Sequence, residues 1–367
     1  MTSSLVRWDL FYSAEWCDWR FRIYDCENSS IWVGFYITYI VVSFVSFLIG
    51  LYVCYKKVYQ NLWKKKLSVI EFNEGILRPK ATEAWVIGST IFLFGRGLYG
   101  IVVLSGGFKN SIVTELFHEW PWCAIYIGGV LLTMGLIHAT PRNITDSKGA
   151  SANITQIVEI SLPSPRTINT LTYIYIISPL VLHHLFAILD GQARDAGNFE
   201  QAQVYNMIHY LAWAVHDVAL CALAAIYGLQ LVRILRAAQA MKLTEGRNEA
   251  FKRAITTLII TLSVIVFLTS GFAAVLFFYG IFRERIQTIL GVSILIAFFW
   301  LLSAPLSLAP LYLYMTYSIN KSTESGTTTG TGTTGRSGTA HSMSGSKSQA
   351  GTKSIPRTSE HGATTEV

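Results

Sequence analysis

The chain has 367 residues, of which 51% are hydrophobic and 14% charged, with a mean hydropathy of +0.41 and a formal net charge of +7. Soluble globular domains carry about 25% charged residues, so this composition excludes an ordinary soluble enzyme. It also excludes a disordered, collagen-like or disulfide-framework protein and leaves a multi-pass membrane protein.

The first element in chain order is an aromatic-rich N-terminal segment, residues 1–30, placed on the extracellular or lumenal side by the topology below. Its rings alternate with acidic residues, and such rings prefer the lipid headgroup region. The segment is therefore expected to lie on the outer membrane interface; the alternative is a cap over a ligand entrance. Cys17, Cys26 and Cys123 fall on this oxidising side, so any two of them are candidates for a disulfide, and the sequence does not decide which.

Seven continuous apolar runs follow, each long enough for a transmembrane helix. Only helices and closed barrels satisfy the backbone inside lipid, and these runs do not alternate, so the sequence predicts an all-α bundle of seven transmembrane helices over residues 31–317. The predicted spans are Ile31–Tyr55, Ala84–Ser105, Trp120–Thr140, Leu171–Leu189, Met207–Leu235, Ala254–Phe282 and Ile286–Tyr317.

The distribution of lysine and arginine predicts the orientation of the bundle. Basic residues are concentrated in the first, third and fifth connecting loops and are sparse in the even ones, which places the N-terminus outside and the C-terminus in the cytosol. The net charge of +7 is then explained by this bias and by contact with anionic lipid heads in the bilayer, not by nucleic-acid binding. The sequence does not distinguish the plasma membrane from an internal membrane.

Two charged residues are predicted deep inside the bundle. Arg96 in the second predicted helix and Asp217 in the fifth lie at about the same depth when each is counted from its helix end. A charge at this depth needs a partner. The sequence therefore predicts that Arg96 and Asp217 form an ion pair.

Further polar residues surround this depth in the fourth and fifth predicted helices: His183, His184, Asp190, His209, Trp213 and His216. Three interpretations are open: a structural hydrogen-bond network, a polar ligand pocket in the outer half of the bundle, or a metal site. No HxxxH or HExxH spacing favours the metal site, and the seventh helix has no lysine for a retinal Schiff base, so no metal and no cofactor is expected. Two prolines, Pro305 and Pro310, are expected to kink the seventh helix.

The cytosolic exit of the fifth helix and the loop after it are rich in basic residues. The default interpretation is a helical extension whose side chains reach lipid heads, and the alternative is a docking surface for cytosolic signalling or trafficking proteins. The candidate docking residues are Arg233, Arg236, Lys242, Arg247, Lys252 and Arg253. The last segment, residues 318–367, is dominated by Ser, Thr and Gly and is expected to be a disordered cytosolic tail.

Seven spans, an outside N-terminus and a Ser/Thr-rich tail resemble the architecture of G-protein-coupled receptors, although Leu136–Arg142 lacks the acidic-Arg-aromatic triplet of those receptors. Two short segments resemble the tobamovirus multiplication protein family of plants and related orphan receptor-like proteins. They are Phe94-Gly95-Arg96-Gly97-Leu98-Tyr99 in the second predicted helix, and Tyr227-Gly228 followed by Leu231, Leu235 and Arg236 at the exit of the fifth. The resemblance implies a seven-helix receptor-like scaffold of the cell surface or an internal membrane, without catalytic residues.

The function predicted from these features is that of a non-enzymatic, receptor-like protein. A small-molecule or lipid ligand would bind in the outer half of the bundle, and the odd loops and the tail would signal to cytosolic partners. The alternatives are a metal-dependent intramembrane hydrolase that uses the histidines of the fourth and fifth helices, a membrane scaffold, and a transporter.

Overall fold

The computed structural model describes residues 17–60, 62–73, 75–140, 162–240 and 245–327. Within these ranges, seven helical segments are long and apolar enough to cross a membrane. The prediction of seven apolar helices is therefore confirmed. Residues 318–327, predicted as the start of the disordered tail, are helical, because the last helix continues to Thr327. The rest of the predicted tail, Lys242 and most of the third connecting loop lie outside the described residues.

The described elements are mainly long helices joined by short connections. A two-stranded antiparallel hairpin precedes the second helix, and a π-helical turn, Phe298–Leu302, divides the seventh span into two helices. The helices are α1 Ser29–Cys54, α2 Ala81–Leu104, α3 Ser111–Ala139, α4 Pro165–Asp195, α5 Phe199–Ala240, α6 Glu245–Thr288, α7 Leu290–Ala297 and α8 Ser303–Thr327, and the strands are β1 Ile70–Asn73 and β2 Ile76–Pro79.

Two helices begin well before the predicted spans because each has a strong start signal. The Asn110 side chain accepts a hydrogen bond from the backbone N–H of Val113 at 3.0 Å and so caps α3. Ser164 caps α4 in the same way, and Pro165 occupies the first helical position. Such residues satisfy the free N–H groups of a first turn. As a result, several charged residues expected in loops lie within helices.

The two ends of the bundle are distinct. One end, the disulfide end, carries a disulfide between Cys17 and Cys26 and the start of α1; Cys123 is a buried free thiol within α3. The opposite end, the hairpin end, carries β1 and β2, with Ile70 opposite Pro79. The structure thus selects one of the three cysteine pairings that the sequence left open.

Residues 17–28, here called the cap, are inserted into the disulfide end of the bundle. Trp19 is completely buried, and its ring centroid lies 5.9 Å from that of Trp32 and 5.9 Å from that of Trp300. The Tyr24 hydroxyl donates to the carbonyl of Leu104 at the end of α2. Trp19 is therefore packed inside the bundle and not on its surface, whereas Tyr24 is partly exposed. That the segment covers a ligand entrance stays a prediction, and Trp8, Phe11, Tyr12 and Trp16 lie outside the described residues.

The seventh span departs from α-helical geometry just before Pro305, which stands near the start of α8, while Pro310 lies inside that helix. Proline has no N–H to continue the ladder of hydrogen bonds, so a locally widened turn before it is a stable solution. The Ser46 hydroxyl of α1 donates to the Pro305 carbonyl at 3.2 Å. The turn places Trp300 in the interior, where it is 2% exposed.

Candidate functional site

A network of buried charges connects the cap to the bundle. Glu115, near the start of α3, lies 3.3 Å from Arg20 of the cap and 2.8 Å from Arg194 of α4. Arg194 also contacts Asp190, one turn earlier in α4, at 2.6 Å. Asn206 of α5 donates to the same carboxylate at 3.1 Å. The network therefore links the cap with α3, α4 and α5.

A second branch of the network connects the cap to α6. Asp18 accepts hydrogen bonds from Arg283 at 2.7 Å and from Gln287 at 2.9 Å, and all three side chains are buried. The backbone carbonyl of Arg20 accepts a hydrogen bond from the Tyr99 hydroxyl, and its guanidinium donates to the Tyr210 hydroxyl. These bonds fix the cap to α2, α5 and α6.

Most of the buried charges have a charged partner. Among the described residues, four arginines and five carboxylates are buried: Arg20, Arg96, Arg194 and Arg283, and Asp18, Glu115, Glu119, Asp190 and Asp217. Arg20, Arg194 and Arg283 form ion pairs with carboxylates, as charges in such an interior require.

The predicted ion pair between Arg96 and Asp217 is not formed. Arg96 makes a 3.1 Å hydrogen bond to His118, and its guanidinium lies 5.0 Å from the centre of the Trp122 ring. Helix α2, which carries Arg96, packs on α1 and α3, whereas α5, which carries Asp217, packs on α3, α4 and α6. Helix α3 therefore separates the two helices. No described residue offers the Asp217 carboxylate a hydrogen bond or an ion pair.

The predicted histidine cluster forms between α4 and α5. The His183 ring stacks on Trp213 at 3.8 Å, and its Nε2 lies 3.3 Å from Nδ1 of His216, whose Nε2 contacts the Ser178 hydroxyl at 2.9 Å. His209 lies 3.4 Å from Glu119. His184 is only half-buried beside this cluster, and Asp190 belongs to the charge network instead.

Hydrogen bonds thus link His183, His216 and Ser178, as the structural-network interpretation predicted for the cluster. His209, by contrast, lies beside Glu119 without a hydrogen bond from its ring to a described residue. Trp213 extends this network by donating its indole N–H to Glu119 of α3 at 2.9 Å. Within the described ranges, no group of three or more His, Cys, Asp or Glu side chains has the geometry to hold a metal ion.

A cavity of about 50 Å³ lies in the interior beside this network. Its walls come from α3, α5 and α6, with one tryptophan each from α2 and the π-helical turn. Glu119 and Asp217 are the charged residues of this lining, and both are acidic. The lining residues are Trp85, Glu119, Trp122, Ile125, Tyr126, Gly129, Tyr210, Trp213, Asp217, Leu220, Ile265, Leu268, Thr269, Phe272, Leu276 and Trp300.

Of the eight residues predicted for a ligand pocket or buried network, Trp213 and Asp217 line this cavity and the other six do not. The sequence interpretation missed Glu119 and the aromatic walls, because it began the third helix at Trp120. The Asn110 cap was the signal that would have moved this start and included Glu115, His118 and Glu119 in the bundle.

A larger cavity, about 320 Å³, opens at the hairpin end and is lined by Lys57, Arg253, Thr82 and Ser318 among others. Arg253 is one of the predicted docking residues. Three further docking candidates, Arg233, Arg236 and Lys252, have exposed side chains. Lys242 and the side chain of Arg247 lie outside the described residues.

Comparison with protein-family models, with curated proteins and with solved structures finds no match for this chain. The function proposed below therefore depends on the geometry of the described residues. The feature of that geometry that carries it is the aromatic cavity lined by Asp217, for which no described partner is seen.

Proposed function

We propose that this chain is a non-enzymatic, receptor-like multi-pass membrane protein. In this proposal a small ligand binds in the cavity beside Asp217 and changes the arrangement of α5, α6 and the seventh span. The hairpin end transmits this change to cytosolic signalling or trafficking proteins. The observation that carries the proposal is the cavity itself, which lies between helices that also reach the opposite end of the bundle.

The position of the cavity favours such coupling. A ligand shifts a conformational equilibrium only when it binds two states with different affinity. The cavity walls come from three helices and from Trp300 of the turn Phe298–Leu302. The contacts of a bound ligand therefore change whenever these elements move relative to one another. π-Helical turns inside helices are frequent at functional sites.

The orientation in this proposal places the hairpin end in the cytosol. Exposed basic residues cluster there, on the α1–α2 connection and on the ends of α5 and α6. At the disulfide end, by contrast, Arg20, Arg194 and Arg283 are buried and paired with carboxylates. The excess of free positive charge at the hairpin end is the pattern that the positive-inside rule assigns to the cytosol. The membrane is the plasma membrane or an internal membrane.

The test compares two neighbouring substitutions on α6. Thr269 lines the cavity and Ser270 is exposed on the outer face of the same helix. Thr269→Phe fills the cavity, whereas Ser270→Phe adds the same ring outside it. Proximity labelling in cells, with the labelling enzyme fused after residue 367, records the cytosolic neighbours of each variant.

We expect Thr269→Phe to change the set of labelled neighbours and Ser270→Phe to leave it as in the wild type. Deletion of residues 241–253 serves as the reference for lost docking and is expected to remove the neighbours that respond to Thr269→Phe. An unchanged set for Thr269→Phe, at equal expression in the same membrane, contradicts the proposed coupling.

A further inference from the structure

Asp217 is the unusual residue of the cavity. It lies at the middle of the Phe199–Arg236 span and is 8% exposed, yet no described side chain or backbone group pairs with its carboxylate. A charged group at such a depth costs about 2.5–3.5 kcal/mol on insertion scales unless it is partnered. The other buried carboxylates of the described bundle all have partners, so Asp217 is the acceptor left open to a ligand.

The walls around Asp217 are suited to a cation. Trp122, Tyr126, Tyr210, Trp213 and Trp300 present aromatic rings to the same cavity. The face of an aromatic ring attracts a cation, and the attraction is stronger when water is excluded.

The protein already uses several of these rings in this way. Arg96 lies 5.0 Å from the centre of the Trp122 ring, and Arg20 lies 4.9 Å from that of Tyr210 and 5.8 Å from that of Trp300. These cations approach from outside the cavity, so they do not occupy it.

The charge of the lining is negative. Glu119, the second carboxylate, is engaged by Trp213 and lies 3.4 Å from His209, and the lining contains no lysine, arginine or histidine. The Tyr126 hydroxyl donates to the carbonyl of His216 at 3.3 Å, which holds this ring against the backbone next to Asp217. A cation in the cavity therefore faces one free carboxylate and a ring fixed beside it.

We propose that the ligand is a small organic ammonium ion, held by an ion pair with Asp217 and by cation–π contacts with the aromatic walls. This inference rests on the proposed function and names the chemical class of its ligand. A cavity of about 50 Å³ accommodates a group of roughly three to five water-sized units, which is the size of a methylated ammonium headgroup. A bare metal cation would require several oxygen ligands, and the walls supply mainly rings and aliphatic groups.

The experiment measures binding to the purified full-length protein in detergent. The probes are tetramethylammonium and choline, together with 3,3-dimethylbutan-1-ol, in which a carbon atom replaces the nitrogen of choline. Sodium chloride at equal ionic strength serves as the comparison for simple cations. Calorimetry gives the affinity, and the thermal unfolding midpoint gives stabilisation.

We expect one or both ammonium ions to bind and to raise the unfolding midpoint, and the neutral alcohol to do neither. Asp217→Asn, which is nearly isosteric, should weaken ammonium binding by about 100-fold or more, the loss typical of breaking a buried pair. The unfolding midpoint of the empty Asp217→Asn protein should stay close to that of the wild type, because an amide of nearly the same shape replaces a carboxyl group that has no partner. Glu200→Gln, an exposed change on the same helix, should alter neither quantity.

Tyr126 provides the matched test of the aromatic wall. Tyr126→Phe keeps the ring and should retain binding within a few-fold, whereas Tyr126→Leu should weaken it by about 5- to 30-fold. Four results would each overturn the proposal. They are equal binding of the alcohol and choline, ammonium binding that survives Asp217→Asn, stabilisation by sodium alone, and the absence of any binding. Because this assay uses no cytosolic partner, it can fail while the labelling experiment succeeds, and the reverse holds as well.

Discussion

Glu115 forms ion pairs with both the cap and the bundle. Its carboxylate is completely buried and lies against two arginines, Arg20 and Arg194, which belong to different elements. The two arginines differ in their other contacts. Arg194 also pairs with Asp190, whereas the remaining hydrogen-bond partner of the Arg20 guanidinium among the described residues is the neutral Tyr210 hydroxyl.

This asymmetry leads to a prediction for single and double substitutions. Glu115→Gln leaves Arg20 buried without an opposite charge and should destabilise the protein by about 3–5 kcal/mol, the cost of breaking a buried pair. Arg20→Gln should cost less, because Glu115 keeps Arg194. The double variant should be more stable than Glu115→Gln alone, since it removes the unpaired charge. The thermal unfolding midpoint of the purified protein in detergent is the measurement.

Glu200→Gln is the control for the loss of an acidic side chain, since Glu200 is exposed at the start of α5. It should leave the midpoint unchanged. If the effects of Arg20→Gln and Glu115→Gln simply add, the two residues are not coupled and the described ion pair does not contribute to stability.

Single residues also show which features of the site could be predicted from the sequence and which could not. His209, Trp213 and His216 share one face of α5, because spacing along one helix fixes which side chains lie together, whereas the contact of Trp213 with His183 depends on the packing of α4 on α5. The partner of Arg96 was not predictable in this way. Depth can be counted from the sequence, but which helices are neighbours depends on packing across the whole bundle, and here α3 lies between α2 and α5.

At the scale of elements, the existence of the seven apolar helices was predictable, but their ends were not. Hydropathy marks the apolar interior of a helix, whereas α3 and α4 extend past it through polar turns that are buried by the cap. Glu115 and Arg194 therefore lie within helices although they were counted with loops. The cap itself was predictable as an aromatic segment, but its insertion depends on partners such as Asp18 and Arg283, which are far apart in the sequence.

The packing of α2 on α3 depends on two glycines. A Cβ atom at Gly88 would lie 2.6 Å from the carbonyl oxygen of Ala124 and 2.9 Å from the Cα atom of Gly128. Small residues of this kind let membrane helices approach closely. Since both contacts are with backbone atoms, the neighbouring helix would have to move to make room for a side chain.

Gly88→Ala is therefore expected to destabilise the bundle by about 1–3 kcal/mol, as overpacking does. Gly34→Ala on α1 is the matched control, because a Cβ atom there has no neighbour within 4 Å. This second change should be neutral or slightly stabilising through better helix propensity. Thermal unfolding in detergent compares the two, and an equal midpoint for both variants would contradict the close approach described for Gly88.

At the scale of the whole molecule, the basic residues on the surface of the structure differ from those counted in the loops of the sequence. Arg194 and Arg283 were counted as loop charges on the outer side, but both are buried and paired. The basic residues left on the surface of the disulfide end are fewer than the sequence suggested, and Lys109 and Arg285 are among them. At the hairpin end, Lys64, Lys65 and others remain exposed. Burial thus increases the difference in free positive charge between the two ends.

This difference predicts the orientation, which cysteine accessibility can test with a matched pair. Lys65 and Lys109 are both exposed lysines, at the hairpin end and at the disulfide end. With a membrane-impermeant maleimide, Lys65→Cys should stay unlabelled in intact cells and become labelled once digitonin opens the plasma membrane. Lys109→Cys should be labelled either in intact cells, which indicates the plasma membrane, or only after full solubilisation, which indicates a lumen. The wild type measures the background from its free cysteines. Labelling of Lys65→Cys in intact cells would show that the hairpin end lies outside. The end with more free positive charge would then be outside the cytosol, which contradicts the orientation predicted from the positive-inside rule.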